Sequence, residues 1–155
     1  ETVGVANGSI TVTKEVTEMN IDVGMDTDNS SPTGHIGKIL WEEKFDYQGG
    51  VDPKYWNYDE GRGINGWGNR ELQEYTALLD NVRVDAGNLE ITAIRKSTEG
   101  TDVFTSGRIN TKNKVLFKYG TLEARMQIPD LVEGLWPAFW TLGHDFDDVE
   151  WPTSG

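Results

Sequence analysis

The chain has 155 residues, enough for one domain with a real core, and carries 26 acidic against 14 basic side chains and no cysteine. A net charge of −12 argues against nucleic acid or an anionic membrane as partner, since both need a basic footprint. Without thiols there are no disulfides, no thiol chemistry and no cysteine-ligated zinc. The acidic balance fits a neutral substrate, and it fits a merely soluble surface equally well. No run of 18 apolar residues occurs in the sequence. The first residue is Glu1 rather than Met, as expected of a processed or recombinant product.

No Phe, Tyr or Trp precedes Trp41. Residues 1–37 are acidic and small, and the run from Asp26 to Gly34 reads as a linker. The expected division is therefore a linker or tail of a preceding module over 1–37 and a folded domain over 38–155. Ser9 to Thr13 alternates and reads either as one strand or as part of a disordered tail. From residue 38 the period is mostly two. Leu89, Ile91 and Ala93 alternate with Glu90 and Thr92, and Leu122, Ala124 and Met126 alternate with Glu123, Arg125 and Gln127. The predicted strands are 38–45, 82–85, 88–95, 103–111, 114–128 and 134–142. Gly, Asn, Asp and Pro punctuate them. The pattern is that of an all-β, antiparallel sandwich or barrel.

Three short motifs lead nowhere. Gly61-Arg62-Gly63-Ile64-Asn65-Gly66 matches the dinucleotide fingerprint, but no strand precedes it and no helix follows it, so a glycine-rich loop is expected. Asp26-x-Asp28 begins like a calcium loop, yet Ser31 stands where Gly is required and Gly37 where Glu is required. Asp145-Phe146-Asp147-Asp148 reads as an acidic loop tip. His35 and His144 have no third ligand to make a zinc site.

Two stretches carry more. In Leu135-Trp136-Pro137-Ala138-Phe139-Trp140 a strand would put 136, 138 and 140 on one face. Two indoles around a small alanine make a flat platform on which the C–H face of a pyranose packs. Leu135 and Phe139 then turn to the core. The other reading places one or both Trp in the core. Pro137 disfavours a helix and suggests an edge or bulged strand. In Ser106-Gly107-Arg108-Ile109-Asn110-Thr111, Ser106, Arg108 and Asn110 share a face, either toward water or toward sugar hydroxyls.

Taken together and in order, several stretches resemble glycoside hydrolase family 16, in its β-1,3-glucanase (laminarinase) branch. They are Leu40-Trp41-Glu42-Glu43-Lys44-Phe45, the run Gly66-Trp67-Gly68-Asn69-Arg70-Glu71-Leu72-Gln73-Glu74-Tyr75-Thr76, and Ser106 to Lys112. Tyr119 to Arg125, Gly134 to Gly143, and Trp151-Pro152 complete the set. The set spans 38–155. The resemblance implies a β-jelly-roll sandwich with a glucan-binding cleft on its concave face. It implies retaining hydrolysis of β-1,3-glucan or mixed-linkage β-1,3-1,4-glucan, by two carboxyl groups about 5–5.5 Å apart. It also implies a secreted or cell-surface location.

The family's Glu-Ile-Asp-Ile-Met-Glu motif is expected just after Trp151-Pro152, and it is absent from these residues. The catalytic pair is therefore expected from a further segment or chain that completes the domain. This chain alone is expected to be inactive. Glu133 and Glu150 lack the paired spacing and read as surface groups. By resemblance, Trp136 and Trp140 line the subsites nearest the cleaved bond, and Arg108 contacts the sugar or positions the carboxylates. Asn57 and Asn69 contribute hydroxyl contacts at the rim. No cofactor is implied for catalysis; a structural calcium is, with Glu43 and the Gly87 carbonyl matching its N-terminal ligands. Two other classes stay open: a non-catalytic β-glucan-binding module, and a family member acting on a marine galactan.

Overall fold

The computed structural model of the chain describes residues 8–12, 20–21, 38–98, 100–130 and 134–154. The Asp26–Gly34 run, His35, Glu133 and Gly155 lie outside the described residues. The strands are β1 (Gly8–Val12), β2 (Asn20–Ile21), β3 (Lys38–Ile39), β4 (Asn57–Tyr58), β5 (Glu74–Tyr75), β6 (Val82–Asp85), β7 (Asn88–Thr98), β8 (Thr101–Ser106), β9 (Ile109–Asn110) and β10 (Met126–Gln127). One short helix, α1 (Phe146–Val149), follows. The all-β expectation holds.

β7 is the spine of the main sheet. Along one edge it pairs antiparallel with β1, from Gly8 opposite Ala93 to Val12 opposite Leu89. The alternating run near Ser9 is thus a strand, and it lies in this sheet. Along the other edge β7 pairs first with β6 and then with β8. β10 extends the sheet beyond β1, and β5 runs parallel to β8. β4 and β9 form a separate antiparallel pair, as do β2 and β3.

The β6–β7 hairpin follows directly from its sequence. Val82 and Val84 point inward and are buried, while Arg83 points out. Asp85 faces Asn88 across a two-residue turn. Ala86 and Gly87 both have positive φ, 49° and 79°, as the turn type that matches strand twist requires. The core gathers Phe45, Val51, Val82, Val84 and Leu89, with Tyr47, Trp56, Tyr58, Ile91 and Ile109 packed around them. Two tyrosine hydroxyls tie down the loop over this core. Tyr58 Oη accepts from the Val51 N–H and Tyr47 Oη from the Asp52 N–H, each at 3.0 Å. Burial pushes the Tyr47 hydroxyl pKa up.

Four predicted strands are shorter or broken, each for a local reason. The run 38–45 pairs only at Lys38–Ile39. Phe45 takes a positive φ of 50°, and its N–H donates to Glu43 Oε1 at 3.0 Å instead of to a ladder carbonyl. The run 103–111 breaks at Gly107. A Cβ there would drive into Val82 Cγ2 and sit 3.1 Å from the Asn81 carbonyl. The chain lies flat on Val82, then leaves β7 to pair with Asn57 and Tyr58. The run 114–128 forms a ladder only at Met126–Gln127. The run 134–142 joins no ladder among the described residues. The expected core face of that run is not made: Leu135 is half-buried, but Phe139 is 51% exposed. A strand's inward face is buried only where neighbours close over it, and no described strand lies alongside.

The glycine-rich stretch is a loop, as expected. Gly61 bridges Tyr75 through two main-chain hydrogen bonds, and Ile64 stands 87% exposed. Residues 66–70 form one wide turn in which Trp67 and Gly68 are left-handed.

Candidate functional site

The break at Gly107 sets up the site. Past it, Arg108 and Asn110 project to one side, as the alternation predicts. Both reach the same carboxylate. Arg108 Nε donates to Asp59 Oδ2 and Asn110 Nδ2 to Asp59 Oδ1, each at 2.9 Å. The main chain keeps the pair in register, since the Asp59 N–H donates to the Arg108 carbonyl at 3.0 Å. Asn57 joins from β4. Its Nδ2 donates to Asn110 Oδ1 at 3.1 Å and to the Lys112 carbonyl at 3.0 Å. Asn57, Asp59, Asn110, Lys112, Asn113 and Lys114 line an open depression of about 370 Å³.

On its other side Arg108 meets rings. Its guanidinium carbon lies 4.6 Å from the Trp67 ring centre, 5.5 Å from Trp140 and 5.9 Å from Tyr75. These are cation–π distances. Trp67 meets Tyr75 edge-on, with centroids 5.8 Å apart. The turn at 61–68 places the Trp67 ring so closely on the Gly63 backbone that a Cβ there would come within 2.5 Å of Cδ2.

Tyr75 is held in turn. Its hydroxyl donates to Glu71 Oε2 at 2.6 Å, and Gln73 Nε2 donates to both of them. Burial, followed by the hydrogen bond to Glu71, raises the Tyr75 pKa. Asn69 Nδ2 donates to the other oxygen of Glu71 at 3.1 Å. Asp59 and Glu71 are thereby committed to neighbours. The arrangement offers stacking faces, amide hydrogen bonds and a fixed positive charge. It is suited to hold a ligand rather than to move a proton.

The expected residues are partly brought together. Arg108 and Trp140 meet, and Asn57 is linked to them through Asn110 and Asp59. Asn69 belongs to the Tyr75 side. Trp136 is 90% exposed and lies outside the stack around Arg108, whereas Trp140 is 53% exposed. Both indoles stand open to solvent, and of the two it is Trp140 that reaches Arg108. Asp59, Trp67, Tyr75 and Glu71 are the residues that sequence reasoning missed. Trp67, Glu71 and Tyr75 lie inside a motif already noted, and Asp59 had one available signal: a half-buried arginine needs a counter-ion.

Glu43 is buried, and its two oxygens accept from the Phe45 N–H and the Trp56 indole N–H, at 3.0 and 3.1 Å. Gly87 sits in the β6–β7 turn. Among the described residues no three His, Asp or Glu side chains come together to hold a metal. The acidic tip at 145–148 is a helical turn, and Asp147 pairs with Lys112 at 2.6 Å.

Known proteins resemble this chain in sequence and in fold. The family model described as beta-glucan synthesis-associated protein SKN1/KRE6/Sbg1 matches residues 28–145. The chain is 39% identical over 132 residues to a beta-glucanase of Rhodothermus marinus, covering 83% of this chain and 44% of that protein. It is 35% identical over 148 residues to glucan endo-1,3-beta-glucosidase A1 of Niallia circulans, covering 88% of this chain and 21% of that protein. The crystal structure of a laminarinase from Flavobacterium sp. UMI-01 superposes with a TM-score of 0.59 at 36% identity, covering 76% of this chain and 48% of that one. The chain spans less than half the length of each of these relatives. The shared fold is the jelly roll of the laminarinases. With its model matched over residues 28–145, the family described as beta-glucan synthesis-associated protein SKN1/KRE6/Sbg1 is the one this chain belongs to, and in its ordered motifs and its fold the chain is similar to the laminarinases of glycoside hydrolase family 16.

Proposed function

We propose that this chain forms substrate-binding cleft of a retaining endo-hydrolase of β-1,3-glucan, with mixed-linkage β-1,3-1,4-glucan as the nearest other substrate. One observation carries the reading. Arg108 is fixed by Asp59 and ringed by Trp67, Tyr75 and Trp140, beside a depression floored by Asn57 and Asn110. A pyranose has apolar C–H faces and an equatorial fringe of hydroxyls. Aromatic faces serve the first, and amides and a guanidinium serve the second. The relatives named for glucan hydrolysis support the same reading.

The catalytic carboxyl pair then belongs to polypeptide outside these 155 residues, as a further segment or chain of the same domain. Two facts support this. The Glu-Ile-Asp-Ile-Met-Glu pattern does not occur in the sequence, and the relatives are more than twice as long as the matched region. Trp136, Phe139 and Trp151 are 90%, 51% and 67% exposed, an apolar surface suited to being covered. A polymeric glucan is met outside the cell, so the reading carries secretion or cell-surface attachment with it.

The test is reducing-end release from laminarin. The full-length protein releases sugar with retained anomeric configuration, and the 155-residue chain alone releases none. Inverted product, or turnover by the isolated chain, would refute the assignment.

A further inference from the structure

We propose that Asp59 is a positioning residue for glucan binding, setting the aromatic stack through Arg108 and the amide floor through Asn110. The proposal rests on the reading of this cleft as a glucan site. Asp59 has one donor on each carboxylate oxygen, and the two donors come from opposite halves of the cleft. Arg108 bonds through Nε, which fixes the plane of the guanidinium. The guanidinium carbon so held lies 4.6 Å from the Trp67 ring centre and 5.5 Å from that of Trp140. Asn110, held by its Nδ2, turns its oxygen to Asn57 and to the Lys112 N–H. One carboxylate thus joins the two kinds of sugar contact.

Charge and burial make the link strong. The Asp59 and Arg108 side chains are each 27% exposed, so the pair is screened less than a surface ion pair. Charge-assisted hydrogen bonds are roughly twice as strong as neutral ones. Asparagine cannot replace the carboxylate, because its amide offers one acceptor oxygen where two donors converge. One of Arg108 and Asn110 must let go. Lysine cannot replace Arg108 either, since it has no flat face and no Nε donor.

The experiment compares the wild-type chain with D59N, R108K and the double variant. Laminarihexaose binding is measured by calorimetry, and the Arg108 Nε–H resonance is followed by ¹H–¹⁵N correlation spectroscopy, assigned by its loss in R108K. The expected result is a roughly tenfold or larger loss of affinity in D59N with a displaced Nε–H resonance. The double variant should bind no worse than the weaker single variant, because both break one unit. A merely structural role elsewhere would give additive losses. Wild-type affinity with an unmoved resonance in D59N overturns the proposal, and so do additive losses. If D59N does not fold, R108K decides, and unchanged binding by R108K overturns it. Absence of laminarihexaose binding by the wild-type chain sinks the glucan reading instead, and the Arg108 resonance then still decides the positioning claim.

Discussion

Arg108 is legible in the sequence as part of one polar face, because Ser106, Arg108 and Asn110 alternate, and only the family resemblance points that face at a ligand. What it touches is not legible. Its counter-ion lies 49 residues upstream, and strand periodicity carries no information about a contact at that separation. Trp67 and Tyr75 are similar cases: the motif displays them, but only the fold brings their rings to the guanidinium. The Tyr75 hydroxyl makes a prediction at this scale. Its pKa, like that of Tyr47, is raised from the ordinary 10.0. Both tyrosines therefore stay protonated in the folded chain where the unfolded chain begins to ionise. Their contribution to stability is complete below pH 10 and is lost as pH rises from there through the folded-state values. Urea midpoints followed from pH 8 to 12 should hold and then fall above about pH 10. Tyrosine absorbance should show two residues titrating late. Normal titration of all the tyrosines would contradict the burial and the Glu71 bond.

At the scale of elements, the β6–β7 hairpin was readable because everything that forms it is local. Val82 and Val84 alternate inward, and a two-residue turn closes it. The strand breaks were not readable, since each depends on a partner. Phe45 leaves its strand because Glu43 takes its N–H. Gly107 ends β8 because Val82 presses on its backbone. The run 134–142 has strand periodicity without a described neighbour to pair with, so the pattern does not become a ladder. Gly107 gives the sharpest test. Alanine there presses on Val82, which is fully buried, and on Ile91 beside it. Gly107→Ala should destabilise the chain by roughly 1–3 kcal/mol, read as a lower urea midpoint. Because the same break aims Arg108, laminarihexaose affinity should fall as well. A variant as stable as wild type would show that the close approach to Val82 is not real.

For the whole molecule, periodicity sufficed for an all-β chain and the ordered motifs for its family, while the acidic balance left the ligand undecided. The topology was beyond them. Nothing in the sequence distinguishes β7, paired on both edges, from any other alternating run. The exposed aromatics between Trp136 and Trp151 belong to this scale too. Under the proposed function they are surface that meets glucan or the rest of the domain, and the relatives are more than twice the length of the matched region. The account stands or falls on whether the cleft around Arg108 holds a β-1,3-glucan. The direct measurement is calorimetric titration of the chain and of Trp140→Ala with laminarihexaose, and with cellohexaose for comparison. The account predicts that the wild-type chain binds laminarihexaose in preference to cellohexaose. Loss of the Trp140 ring should weaken that binding by roughly tenfold. Equal binding of the two hexaoses, or an affinity untouched by the loss of Trp140, would contradict it.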